Sequence, residues 1–184
     1  MTRCLAIVVA SACVLTCTGC GGSTTSPSPT PPRNVTMSFN GLTADGTPVT
    51  IYSESGFSVS ASLGSWVVRT TYGNPAPFIQ FRAAAATAVT GQIQVSADGH
   101  ASFSFKSVDL YSSTTPIPYT ITGVRNDAIV FTAADTLPNT FGNFRTVVNP
   151  HGTDIIDTLS ISLTNSSAPC CANPMGLDTI VLSQ

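Results

Sequence analysis

Charge is scarce in this chain. Asp, Glu, Lys and Arg make up 9% of its 184 residues, against roughly 25% in ordinary soluble domains. Lys106 is the single lysine and Glu54 the single glutamate. With no basic cluster, the chain lacks the electrostatic footprint of a nucleic-acid binder and a polybasic patch for anionic lipid. With few carboxylates, the acid pairs that carry general acid–base chemistry have little chance to form. Asp154 and Asp157 flank Ile155 and Ile156, and a three-residue spacing puts them on opposite faces of a strand. The GxSxG, HExxH and P-loop signatures are missing. The two histidines, His100 and His151, each adjoin a turn glycine and read as solvated turn residues. Helical periodicity is missing too: only Ala83 to Ala86 invites a helix, and Thr87, Val89 and Thr90 follow at once. Cysteine is plentiful only at the start. Cys4, Cys13, Cys17 and Cys20 fall in the first twenty residues, leaving the adjacent pair Cys170 and Cys171 for the folded part. A disulfide framework is therefore excluded there.

What is present begins with an export signal. Arg3 precedes the apolar run LAIVVASACVL, which is short for a membrane span and the right length for a signal-peptide core. The run ends in Cys17-Thr18-Gly19-Cys20, which resembles a bacterial lipobox, with Cys17 where Leu is usual. The expectation is a lipoprotein signal over residues 1–19 and acylation of Cys20. GGSTTSPSPTPP then supplies a tether over residues 20–33, too polar and too rich in Pro to join a core. Loss of Arg3 changes the formal net charge from −2 to −3. The expected location is extracytoplasmic, in the periplasm or at the cell surface, with the bacterial membrane as a partner through the lipid.

Residues 34–184 read as one domain built from short strands. Val35, Met37 and Phe39 alternate, as do Phe57, Val59 and Ala61, Ile93 and Val95, and Leu159, Ile161 and Leu163. Gly, Asn, Asp and Pro punctuate the gaps. The longest patterned stretch, ASFSFKSVDLYSSTTPIPYTITGV from Ala101 to Val124, reads as two long strands paired across a Pro-containing turn. Phe103 and Phe105 are out of phase with Val108 and Leu110, which predicts a β-bulge near Lys106 and Ser107. Asp98-Gly99 reads as another hairpin turn. The fold class expected is all-β: an antiparallel β-sandwich closed as a jelly roll by its terminal strands.

FSFKSVDLYSS, IPYTITG, NTFGNF, IDTLSISLTN and NPMGLDTIVLS resemble a family of exported bacterial domains of uncharacterised function, many with C-terminal sorting segments in place of a lipid anchor. The resemblance implies a galactose-binding-like jelly roll shared with many carbohydrate-binding modules. Such folds often hold a structural calcium where the first and last strands meet. Asp178 matches the final-strand position, but Asn40 puts an amide where a carboxylate is usual. Calcium takes several oxygens and weakens with lost charge, so no cofactor is expected, with structural calcium the open alternative.

Sandwich modules hold sugars by stacking them on exposed rings. Trp66, Tyr72, Tyr111 and Tyr119 are the candidates, set against the competing reading of a lone Trp as core. Cys170 and Cys171 read as free thiols, intermolecular partners or a vicinal disulfide. In an oxidising compartment the bond between them is the expectation. The function expected is a lipid-anchored, non-catalytic binding module for a glycan. A structural or cell-surface interaction protein is the alternative, and an enzyme comes third.

Overall fold

The computed structural model describes residues 31–71, 73, 76–82, 89–113, 115–165 and 174–184. Its strands are β1 (Asn34–Met37), β2 (Ile51–Glu54), β3 (Phe57–Leu63), β4 (Trp66–Arg69), β5 (Phe78–Phe81), β6 (Val89–Ala97), β7 (Ser104–Ser112), β8 (Ile117–Arg125), β9 (Ala128–Leu137), β10 (Phe144–Val148), β11 (Thr158–Asn165) and β12 (Met175–Ser183). They form two antiparallel sheets. The first runs β10-β7-β12-β5-β4, with β1 on the remaining half of β12. The second runs β2-β3-β6-β11-β8-β9. From β5 to β12 every connection except the β8–β9 hairpin passes from one sheet to the other. The path wraps a jelly-roll β-sandwich. The first strand pairs with the last, Met37 opposite Ile180, as the sequence led us to expect.

β11 shows why these residues make strands. Leu159, Ile161 and Leu163 point into the core, while Thr158, Ser160, Ser162 and Thr164 point out. β11 lies between β6 and β8, so the outward hydroxyls find partners across the ladder. Thr90 and Thr164 lie 2.9 Å apart, and the Gln92 side-chain amide donates to the Ser162 hydroxyl at 3.0 Å. Polar strand faces therefore stay bonded without charge. Between the sheets, the inward residues of β3, β6, β8 and β11 meet those of β7, β12 and β5 in one apolar cluster. Removing a large side chain from such a core costs about 2–5 kcal/mol.

The long stretch from Ala101 to Val124 is not a hairpin. β7 pairs with β10 and β12 in one sheet, and β8 pairs with β11 and β9 in the other. Between Ser112 and Ile117 the chain passes from one sheet to the other. Alternation reports which face of a strand is buried, not which strand lies beside it. The same correction applies to Asp98-Gly99. Asp98–His100 forms a short 3-10 turn that carries the chain from β6 to β7, again between sheets. The bulge in β7 is where the phase change put it. Against β12, Ser107 pairs with Val181 and Phe105 with Leu182, leaving Lys106 as the extra residue. Phe103 lies just outside β7, in a bridge to Ile156, and Ala101 is exposed. Phe39 is buried beyond the end of β1, with φ of 57°.

Candidate functional site

The sandwich has a groove along one side, and the pairing registers explain it. β9 is the edge of one sheet and β10 the edge of the other. Tyr119 of β8 pairs with Asp135 of β9, in the phase of the inward residues Ile117 and Ile121. Arg145 and Val147 of β10 pair with Leu110 and Val108, also in the inward phase. Both edges thus send side chains into the gap between the sheets. Among the described residues no further strand closes that gap, so it is a groove rather than core.

Two hollows of about 230 and 350 Å³ lie along it, sharing Tyr119, Asp135, Val147 and Val148. One extends to Pro138 and Arg145, the other to Asn149 and His151. The Tyr119 hydroxyl is held above its ordinary value, first by burial and then by the Asp135 carboxylate, with Arg145 acting in the opposite sense. It therefore stays protonated and can donate a hydrogen bond. The second hollow has a fixed wall. The Asn149 amide donates to the Phe105 carbonyl at 2.9 Å, and its oxygen accepts from the His151 N–H at 3.1 Å. The His151 ring stacks on Phe131 with centroids 5.4 Å apart and planes 9° from parallel. Phe131 in turn lies over Gly123, its partner across the ladder, where a Cβ would collide with the ring. The groove offers hydroxyl, carboxylate, guanidinium and imidazole groups beside apolar Val147 and Leu137. Among the described residues its lining holds one carboxylate, Asp135.

The candidate rings separate. Trp66 is 1% exposed, packs against Phe81 with ring centroids 5.5 Å apart and donates its indole N–H to the Leu63 carbonyl at 3.1 Å. It is core and offers no face to a ligand. Tyr111 is 3% exposed, packed against Phe78 at 5.3 Å and Phe144 at 5.6 Å. It too is enclosed. Tyr119 alone of the described candidates lines a groove. Tyr72, Cys20, Cys170 and Cys171 lie outside the described residues. Sequence reasoning missed Asp135 and Arg145, because their convergence depends on which edges face each other. It also missed Phe141. Phe141 is 82% exposed and has φ of 51°. The run NTFGNF, with an aromatic among turn formers, was the available signal.

Asp178 lies where β12 leaves β5 and meets β1. It is 2% exposed, and its Oδ1 is buried with no hydrogen-bond partner. Burial pushes the carboxyl up to about 6, and the Asp109 and Glu54 carboxylates add to that, against hydrogen bonds from Thr179. An orphaned buried oxygen is one feature a cation would use. Asn40 is exposed. Glu54 accepts from the Ser38 N–H at 2.8 Å, the Ser38 hydroxyl at 2.8 Å, the Phe39 N–H at 3.0 Å and the Tyr52 hydroxyl at 3.3 Å. Those bonds hold the turn at Phe39. Among the described residues no group of three or more His, Cys, Asp or Glu is placed to hold a metal.

The fold and groove define a class: a two-sheet jelly-roll domain with one open, polar side. No family model and no curated protein matches the sequence. Among solved structures, the chain is similar to a family 29 carbohydrate-binding module from Piromyces equi at TM-score 0.47 and 11% identity, covering 84% of this chain and 91% of that one. It is similar to a DUF4465 family protein from Bacteroides caccae at TM-score 0.47 and 11% identity, covering 82% and 98%. A third similarity is to the family 32 module of NanJ from C. perfringens in complex with galactose, at TM-score 0.42 and 12% identity, covering 70% and 93%.

Proposed function

We propose that this chain is an exported, lipid-anchored binding module that holds a glycan in the β9–β10 groove without transforming it. The observation that carries the reading is the groove itself, where Tyr119, Asp135 and Arg145 converge from two sheets beside apolar side chains. A sugar presents hydroxyls at its rim and C–H groups on its faces, and this lining matches both. Pre-formed concave sites with a few convergent polar groups are the usual form of small-ligand pockets. The anchor rests on Thr18-Gly19-Cys20 and the tether behind it. The test is a glycan array probed with the soluble chain from Gly21 onward, beside Tyr119→Ala and Arg145→Ala variants. The reading expects a defined glycan set for the wild type and loss of that set in both variants. Retention by both variants would move the site elsewhere.

A second reading, a cell-surface interaction protein without a small-molecule site, is supported by the broad outer face of the β2–β9 sheet. Ser58, Ser60, Gln94, Ser96, Thr158 and Ser160 meet there across the ladders, and they offer hydrogen bonds but no ring. An empty glycan array would favour it.

A further inference from the structure

The loop between β9 and β10 carries a feature that the fold does not require. Its two flanks, Pro138 and Arg145, line the groove, so it stands at that end of the site. It is pinned to the body of the domain. The Thr140 N–H and hydroxyl donate to the Ser112 carbonyl at 3.1 and 2.7 Å, and the Ser112 N–H donates to the Thr140 hydroxyl oxygen at 3.0 Å. At the tip, the Phe141 N–H donates to the Asn139 side-chain oxygen at 2.8 Å, and the Asn143 amide donates to the Thr140 carbonyl at 3.3 Å. On this braced turn Phe141 is 82% exposed and has φ of 51°.

Both properties oppose stability. A left-handed backbone is costly for a residue with a Cβ, and more so for a bulky one. A ring left in water gains no burial energy. Scattered exposed aliphatic residues such as Ile51 or Ile129 need no explanation. A strained, exposed ring on a fixed turn does, and such outliers gather where a ligand is held.

We propose that Phe141 is a preset stacking platform that extends the β9–β10 groove by one sugar ring. The inference rests on the glycan reading of that groove and adds a preference for ligand length. A ring carried on a braced backbone costs less loop ordering on binding than one on a free loop. Along β9, the groove-lining run Thr132–Leu137 spans about 17–20 Å of extended strand. That leaves room for several sugars ending against Phe141.

The experiment compares the soluble chain from Gly21 onward with Phe141→Ala, Phe141→Leu and Phe141→Trp. Each is titrated with glucose-, galactose- and mannose-based oligosaccharide ladders running from the monosaccharide to the hexasaccharide. The wild type should bind longer members better. Phe141→Ala and Phe141→Leu should weaken them about tenfold, the size of one aromatic contact, while leaving the shortest bound member unchanged. Phe141→Trp should restore the length preference. Since the ring is exposed, unchanged thermal stability in Phe141→Ala serves as the folding control. Equal length preference in wild type and Phe141→Ala would overturn the platform while leaving the groove in place. If Tyr119→Ala also leaves all binding intact, the groove reading itself fails. If no ladder or array glycan binds the wild type, both fail together.

Discussion

Replacing Asp178 by Asn tests how this domain tolerates a buried carboxyl with no countercharge. The group is 2% exposed, and burial pushes its carboxyl from 3.8 to about 6. A raised carboxyl means that the folded state binds the proton more tightly than the unfolded state. Stability is therefore highest below the unfolded value and falls as pH rises through the folded one. A shift of about two units, at 1.36 kcal/mol each, costs ~3 kcal/mol once both states are ionised. Most of that, about 2 kcal/mol, is lost between pH 4 and pH 7. The amide in the Asp178→Asn variant would carry no charge at any pH. It adds a buried donor whose cost, about 1–3 kcal/mol if it finds no acceptor, does not vary with pH. The informative quantity is thus the slope, not the absolute stability. Urea unfolding of wild type and Asp178→Asn in chelator at pH 4, 5, 6 and 7 should show the variant gaining on the wild type by about 2 kcal/mol across the range. That corresponds to roughly 4–8 °C in melting temperature for a domain of this size. A difference flat in pH would refute the argument. Repeating the series with calcium tests the fit of the site to an ion. We expect no calcium-dependent stabilisation. A large rise in the wild type that Asp178→Asn abolishes would show that backbone oxygens complete the set.

Three other outcomes follow from the sequence and the packing. Gly123→Ala should lower stability by about 1–3 kcal/mol, because its Cβ would press into the Phe131 ring and the Ile156 side chain. Chemical denaturation reads this directly, and a neutral result would mean that Phe131 moves freely. Cys20→Ala should abolish incorporation of a clickable fatty acid and release the protein from the membrane fraction; unchanged labelling would place the lipid elsewhere. If the chain is exported as proposed, mass spectrometry of the unreduced protein should find a two-hydrogen deficit in the peptide holding Cys170 and Cys171. Reduction should leave the sandwich folded, because so small a ring removes little chain entropy. Two alkylated thiols or a linked dimer would reject that bond.

What could be read from the sequence was local, and what could not was a matter of neighbours. Leu159, Ile161 and Leu163 announce an inward face because side chains alternate on any strand. The bulge at Lys106 was legible for the same reason: a single extra residue reverses the phase on its own strand. Pairing leaves no such mark. β7 and β8 are separated by a linker short enough for a hairpin, yet each finds its partners far along the chain, β7 beside β12 and β8 beside β11. Trp66 followed by Val67 and Val68 gives no alternation, so its burial depended on Phe81 arriving from the next strand. The groove is one step more remote. Asp135 follows Thr132, Ala133 and Ala134 on β9, and Arg145 sits on a five-residue edge strand. Neither stands out until Tyr119 has paired with Asp135, Leu110 with Arg145, and the two sheets have faced each other. In a chain with so little charge, that convergence marks the β9–β10 side of the sandwich. It follows that charge reversal at Asp135 or Arg145 should disturb ligand binding far more than reversal at Asp127 or Asp98, turn residues outside the groove lining, and a binding assay on these four variants would show whether the groove or the surface at large governs recognition.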